Sequence, residues 1–124
     1  MEKRTVMVAE DYDDTRMMIR VMLEMRGYRV IEAADGLAAV ELAEREHPDL
    51  ILMDLDMPVL DGCAAAIKIR ELESLRDVPI VAVTAHLKED WQARASRAGF
   101  ADYVAKPMDL TLLDRVLARH LPQA

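Results

Sequence analysis

The chain has 124 residues, of which 52% are hydrophobic and 31% are charged, and its net charge at neutral pH is −7. That length suits one globular domain with a buried core and is too short for two, so we expect a single domain over residues 1–124. The negative charge disfavours nucleic acids and anionic membranes as partners, and because there is neither a signal peptide nor a run near the ~20 apolar residues of a membrane span, we expect a cytoplasmic protein.

Short runs of β-branched and other apolar residues alternate along the chain with longer segments of helical period. The predicted strands are, in chain order, Thr5–Glu10, Tyr28–Ala34, Leu50–Asp54, Ile80–Thr84 and Asp102–Lys106. The predicted helices are Asp14–Arg26, Leu37–Glu46, Gly62–Glu73, Lys88–Ala98 and Leu110–His120. Five βα units joined by short connections predict an α/β fold, with a parallel sheet that is covered by helices on both faces.

The composition of the predicted strands indicates which of them are central. Leu50–Met53 and Ile80–Val83 are uninterrupted apolar runs, as in strands that are buried on both faces of a sheet. The second strand instead carries Arg29 and Glu32, which indicates an edge.

Residues that could carry chemistry lie where the predicted strands end. The first strand ends in Glu10-Asp11, and the third ends in Asp54. Thr84 and Lys106 end the fourth and fifth strands. Because ligands bind at the carboxyl ends of the strands in open parallel sheets, we expect the acids, the hydroxyl and the ammonium to converge on one rim.

This group of residues predicts a metal-dependent phosphoryl-transfer site. With the nearby Asp56 included, four carboxylates face the ammonium of Lys106, an arrangement that is strongly repulsive in a partly desolvated pocket. A hard divalent cation with oxygen ligands resolves the repulsion, and Mg²⁺ fits best, with Mn²⁺ as an alternative. The metal and Lys106 would neutralise phosphoryl oxygens while a carboxylate acts as the nucleophile.

Four segments also resemble the signature of response-regulator receiver domains. They are Glu10-Asp11 after an apolar strand, LILMDLDMPVLDG at Leu50–Gly62, VTA at Val83–Ala85 and DYVAKP at Asp102–Pro107. Each segment alone is a weak signal, but together they have the family's order and spacing over nearly the whole chain. The resemblance implies a flavodoxin-like, doubly wound parallel sheet of five strands in the order 2-1-3-4-5. It also implies a stand-alone signalling phospho-acceptor of a two-component system or phosphorelay, with no output domain, rather than an enzyme.

The resemblance assigns a role to each acid. Asp54 would accept a phosphoryl group from a phosphohistidine, on a histidine kinase or a histidine phosphotransfer protein. The protein ligands of Mg²⁺ would be Glu10, Asp11, Asp54 and the backbone carbonyl of Asp56. Many members of the family have Asp at the first position, and the longer side chain of Glu10 leaves direct ligation and ligation through water both open.

The same resemblance assigns Thr84 and Lys106 to the phosphoryl oxygens. On phosphorylation Thr84 would move inward and Tyr103 would follow it, which makes both of them candidate switch residues. Static packing of Tyr103 at the edge of the sheet is the alternative. The Lys106–Pro107 peptide bond would be cis, a state that X-Pro bonds adopt more readily than other peptide bonds do.

Asp56 and His86 are candidates for setting the lifetime of the phosphorylated state. Each lies two residues beyond a site residue, Asp54 or Thr84, on the loops of neighbouring central strands. An acid paired with an imidazole there would respond to pH near neutrality. In the alternative, both side chains point into solvent and have little effect.

The first predicted helix carries more apolar surface than a core face needs. Ile19, Met22 and Leu23 form the expected core face. The apolar residues beyond that face are Met17, Met18, Val21 and Met25, which leaves only Arg16, Arg20 and Glu24 on the polar side. A helix that is sunk deeply into the core would explain this surface. We favour a docking surface for the phosphodonor, with Met18 as its test residue, because flexible methionine suits such contacts.

Three other functions fit part of the pattern. Asp54-Leu55-Asp56 resembles the DxD of haloacid-dehalogenase-type phosphatases, but that class carries DxD on its first strand and adds a cap domain. A flavodoxin-like FMN carrier needs a first loop that cradles phosphate, whereas the acids of Glu10–Asp14 would repel one. A degenerate receiver is the third, and the complete set of site residues argues against it. The kinase and the downstream target are not named by the sequence, and we expect a monomer or a weak dimer.

Overall fold

In the computed structural model of the chain, the residues described are 3–85, 93 and 96–121. Their strands are β1 (Thr5–Ala9), β2 (Arg29–Ala33), β3 (Leu50–Asp54), β4 (Ile80–Thr84) and β5 (Asp102–Ala105). Their α-helices are α1 (Asp13–Met25), α2 (Gly36–Glu46), α3 (Gly62–Glu71) and α4 (Leu110–His120). These bounds confirm the predicted elements to within about two residues at each end, the usual uncertainty of such boundaries. Most of the predicted helix Lys88–Ala98 lies outside the described residues.

The strands form one parallel sheet with the order β2-β1-β3-β4-β5, as the resemblance to receiver domains implies. Every residue of β3 and β4 is buried, whereas the edge strands β2 and β5 each have exposed residues. The chain leaves β1 toward β2 and then returns to the other side of β1 to form β3. The carboxyl ends of β1 and β3 therefore flank the point where the winding reverses, which is where ligands bind in such folds.

Helices cover both faces of the sheet, and each face has its own core. On one face, Ile19 of α1 and Leu113 of α4 pack with Val6 and Val8 of β1. On the other face, α2 and α3 pack against a cluster that includes Met7 of the same strand. Since successive side chains of a strand point to opposite faces, β1 supplies both cores.

The surface of α1 shows where its many apolar residues lie. Within the helix, Ile19 and Leu23 are fully buried and Met22 is partly buried. The remaining apolar residues are all exposed: Met17, Met18, Val21 and Met25. The predicted core face is confirmed, and the alternative of a deeply buried helix is wrong. In the described part of the chain, no helix is both long enough and apolar enough to cross a membrane.

Candidate functional site

Two buried carboxylates and one ammonium meet where β1, β3 and β5 end. The Nζ atom of Lys106 lies 2.6 Å from Oε1 of Glu10 and 2.9 Å from Oδ2 of Asp54. Glu10 is 2% exposed and Asp54 is 4% exposed. The predicted convergence of these residues on one rim is therefore observed, and Lys106 neutralises part of their charge.

The acids of the rim form a group that could hold a cation. Oxygen atoms from the carboxylates of Glu10, Asp11 and Asp54 all lie within 4.8 Å of one another. Three carboxylates exceed the charge of one ammonium, and their hard oxygen atoms are the ligands that Mg²⁺ prefers in proteins. The residues present thus fit a divalent cation.

The proton affinities of the site reflect its burial. Desolvation, together with the nearby Asp54 carboxylate, raises the pKa of Glu10 to about 7. Burial alone would lower the pKa of Lys106, but its hydrogen bonds to Glu10 and Asp54 outweigh burial, and the pKa is raised. Lys106 therefore stays charged at neutral pH, and the cost of the crowded negative charge appears in the raised pKa of Glu10.

The loop after β3 holds the Asp54 side chain in place. The backbone N–H of Asp56 donates to Oδ1 of Asp54 at 3.0 Å, while the side chain of Asp56 is exposed. The loop closes on Gly62, where a Cβ would lie 2.3 Å from the carbonyl oxygen of Asp54. Any larger residue at that position would displace the end of β3, so Gly62 is a structural requirement of the Asp54 site.

Thr84 and Tyr103 occupy different environments. Thr84 is 1% exposed, and its carbonyl accepts the backbone N–H of Lys106 at 2.8 Å, so the two residues lie side by side at the rim. Tyr103 is 43% exposed on the edge strand and is not part of the cluster. The Lys106–Pro107 bond is cis, as the sequence resemblance implies. His86 lies outside the described residues.

The structure adds one residue that the sequence left on the polar side of α1. Arg16 donates from Nη1 to the backbone carbonyl of Glu10 at 2.8 Å. A cation in the first turn of a helix opposes the helix dipole, which makes Arg16 unusual in the sequence but does not identify its acceptor.

The comparisons with known proteins agree with this geometry. The family model for the response regulator receiver domain matches residues 6–118, so the chain belongs to the response-regulator receiver family. It is 32% identical over 121 residues to the polar-differentiation response regulator DivK of Brucella ovis, with 98% of each protein covered. Members of this family are signalling domains of two-component systems, which accept phosphoryl groups from histidine kinases or histidine phosphotransfer proteins.

Two solved structures have the same fold, one with magnesium bound and the other in complex with a histidine phosphotransfer protein. The receiver domain of the sensor histidine kinase PA1611 from Pseudomonas aeruginosa PAO1, with magnesium in its active-site cleft, is 40% identical with a TM-score of 0.91 and covers 98% of this chain and 100% of its own. The second is a co-crystal structure from Saccharomyces cerevisiae of the histidine phosphotransfer signalling protein Ypd1 with the receiver domain of its downstream response regulator Ssk1. Its matching chain is 29% identical with a TM-score of 0.88, covering 95% of this chain and 88% of that one.

Proposed function

We propose that Asp54 is the residue of this receiver that accepts the phosphoryl group. The observation that carries the proposal is its buried carboxylate, which is held by Lys106 at 2.9 Å and by the Asp56 N–H at 3.0 Å beside two further acids. A carboxylate oxygen of Asp54 would attack the phosphorus of a phosphohistidine. The P–N bond breaks as the P–O bond forms, and the electron pair of the broken bond stays on the imidazole of the donor.

The remaining rim residues would bind the charge of the transferred group. We propose that Glu10, Asp11, Asp54 and the backbone carbonyl of Asp56 hold Mg²⁺, with Glu10 binding directly or through water. A bound cation supplies charge neutralisation for the phosphoryl oxygens. Lys106, already against Asp54, would move its ammonium to a phosphoryl oxygen as Asp54 becomes an acyl phosphate.

The experiment that tests the acceptor is phosphorylation by acetyl phosphate with Mg²⁺, read by intact mass. We expect a single added phosphoryl group in the wild type, none with EDTA, and none in Asp54→Asn. Asp56→Asn is the matched control, because it changes a neighbouring exposed acid and should still be modified. Modification of Asp54→Asn to the wild-type extent would contradict the assignment.

Thr84 and Tyr103 are the residues we propose as the switch. Thr84 is buried next to Lys106, which supports a role for its hydroxyl in following a new phosphoryl group. Tyr103 is exposed on β5, where it could report the change to a target. The proposal also covers the lifetime of the phosphorylated state, which Asp56 and His86 would tune by affecting autodephosphorylation. The side chain of Asp56 is exposed, as the alternative of little effect also expects, so this part rests on the place of Asp56 two residues beyond Asp54.

We propose that residues 1–124 work as one receiver domain, as a monomer or weak dimer in the cytoplasm. The near-complete overlap with DivK supports this size of unit. Its phosphodonor would be a histidine kinase or a histidine phosphotransfer protein that docks on the exposed surface around Met18 of α1. An apolar groove of about 350 Å³ runs from Met18 past Lys106 to Pro107 and Met108, which connects this surface to the site.

A further inference from the structure

Arg16, near the start of α1, ties the β1–α1 loop to the rest of the fold. Its Nη1 donates to the carbonyl of Glu10 at 2.8 Å, and its Nη2 donates to Oδ1 of Asp13 at 2.7 Å. Its Nε lies 3.4 Å from Oε1 of Glu32 on β2, and its side chain is 18% exposed. The guanidinium therefore lies between loop, helix and neighbouring strand.

The contact with the Glu10 carbonyl acts on the peptide that joins Glu10 to Asp11. That peptide is planar, so fixing its oxygen also fixes the direction in which the chain enters Asp11. On the other side of Glu10, its N–H donates to the carbonyl of Ala33 at 3.0 Å. Glu10 is thus held from both sides, and the Arg16 contact is the one on the side of Asp11.

Charge alone does not account for this arginine. A cation in the first turn of a helix opposes the helix dipole. Its two acidic neighbours, Asp13 and Glu32, already pair with it, so much of its charge is compensated locally. The geometry of the side chain explains why an arginine is present here. A planar guanidinium with five N–H donors can hold several acceptors at fixed angles, and the ammonium of a lysine cannot.

We propose that Arg16 is a positioning residue for the cation site: by fixing the Glu10–Asp11 peptide, it keeps these two carboxylates within reach of Asp54. The inference rests on the proposed function in that these acids bind a divalent cation. If Arg16 acted only through its charge, its removal would tighten cation binding, because a positive charge near a cation site repels the cation. A loss of affinity in a variant without the charge therefore reports geometry.

The test is Mg²⁺ titration by calorimetry of the wild type, Arg16→Gln, Arg16→Lys and Arg20→Gln. Arg20 is the matched control: it lies one turn further along α1 and also pairs with Glu32, at 3.3 Å, without contacting the loop in any hydrogen bond described for it. We expect Arg16→Gln to weaken Mg²⁺ binding by about tenfold, the lower end of the range for residues that orient metal ligands. Arg16→Lys, which keeps the charge, should also weaken binding, whereas Arg20→Gln should match the wild type.

The results separate a failure of the proposed cation site from a failure of the positioning role of Arg16. If the wild type binds no Mg²⁺, the proposed cation site fails and the inference fails with it. If the wild type binds and Arg16→Gln binds as tightly as Arg20→Gln, the cation site stands and the positioning role is wrong. Circular dichroism in EDTA identifies any variant that does not fold. If Arg16→Gln does not fold, the folded Arg16→Lys variant decides, and wild-type Mg²⁺ affinity in that variant overturns the inference.

Discussion

Val59 has an unusual backbone conformation in the loop that follows Asp54. Its φ is +69°, in the left-handed region that β-branched residues rarely adopt, and the N–H of Leu60 donates to the carbonyl of Pro58 at 2.7 Å across it. The side chain is 77% exposed, so little burial offsets the strain. Conformations of this kind cost about 1–3 kcal/mol.

Replacing this residue with glycine should therefore stabilise the protein. We expect Val59→Gly to raise the free energy of unfolding by about 1 kcal/mol, because the relief of strain exceeds the roughly 0.5–1 kcal/mol that the extra freedom of glycine costs in the unfolded chain. Urea unfolding measures the change. Val59→Ala keeps the Cβ and should gain less than Val59→Gly. A Val59→Gly variant that is less stable than the wild type would show that the residue is not strained.

The residues of the site differ in how far the sequence could predict them. The convergence of Asp54 and Lys106 could be predicted from their place at strand ends, because the carboxyl ends of parallel strands meet at one rim of the sheet. Arg16 was left on the polar face of α1, because its partner is a backbone carbonyl, and no sequence pattern marks a carbonyl as needing a donor. The exposure of Tyr103 on β5 likewise depends on tertiary packing that no sequence pattern marks.

At the scale of elements, Asp102 connects β5 to the end of α4. Its Oδ1 accepts the N–H of Tyr103 at 2.9 Å, while Oδ2 lies 2.6 Å from Nη1 of Arg119 and 3.2 Å from Nε2 of His120. Burial works against ionisation, but these partners outweigh it, and the pKa of Asp102 is lowered. The ionised carboxylate is therefore more stable in the folded chain than in the unfolded chain.

This lowered pKa sets the direction of a pH effect. Stability from Asp102 is fully present above its unfolded pKa, about 4, and is lost as the pH falls through the lower folded pKa. Asp102→Asn should therefore reduce the free energy of unfolding at pH 7 by about 1 kcal/mol, and the difference from the wild type should shrink toward pH 3. Denaturant unfolding at both pH values measures it. Glu44→Gln, which changes an exposed acid on α2, should have little effect at either pH. A constant Asp102→Asn difference across this range would contradict the argument.

Element boundaries follow from the sequence except where packing interrupts a helical pattern. The prediction continued α3 to Glu73, because its residues favour helix. The helix ends at Glu71, Leu72 is extended, and a 3-10 turn at Glu73–Leu75 places Leu75 in the core with 0% exposure. Burial of one leucine overrides the local helix propensity here. The end of α3 therefore depends on the space between α3 and β4, which the sequence pattern does not give.

For the whole molecule, the arrangement that matters for function is the separation of its two cores. The α1 and α4 core lies on one face of the sheet, and the α2 and α3 core lies on the other. The exposed methionines of α1 belong to the first face, beside the groove that leads to Lys106. In the reaction that we propose, a phosphodonor that approaches Asp54 from this face can contact that surface without disturbing either core.

A charge on this surface should slow transfer from a protein donor. Met18 is 46% exposed, and we expect Met18→Asp to reduce the rate of transfer from the cognate histidine donor about tenfold, as for loss of a buried interface contact worth ~1.4 kcal/mol. Acetyl phosphate needs no docking surface, so its reaction should be unchanged. Ile67 of α3 is 48% exposed on the opposite face and gives the control Ile67→Asp, which should affect neither rate. A parallel fall in both rates for Met18→Asp would indicate damage to the fold.

The exposed stripe of α1 also has an evolutionary consequence. Since Met17, Met18, Val21 and Met25 contribute little to either core, substitutions there cost little stability and can accumulate after gene duplication. Two copies could then keep the same acidic chemistry while diverging in the donor that each recognises, which would insulate one pathway from the other. Because we propose that this stripe docks the donor, exchanging a few of its residues with those of a relative should redirect the receiver to that relative's donor.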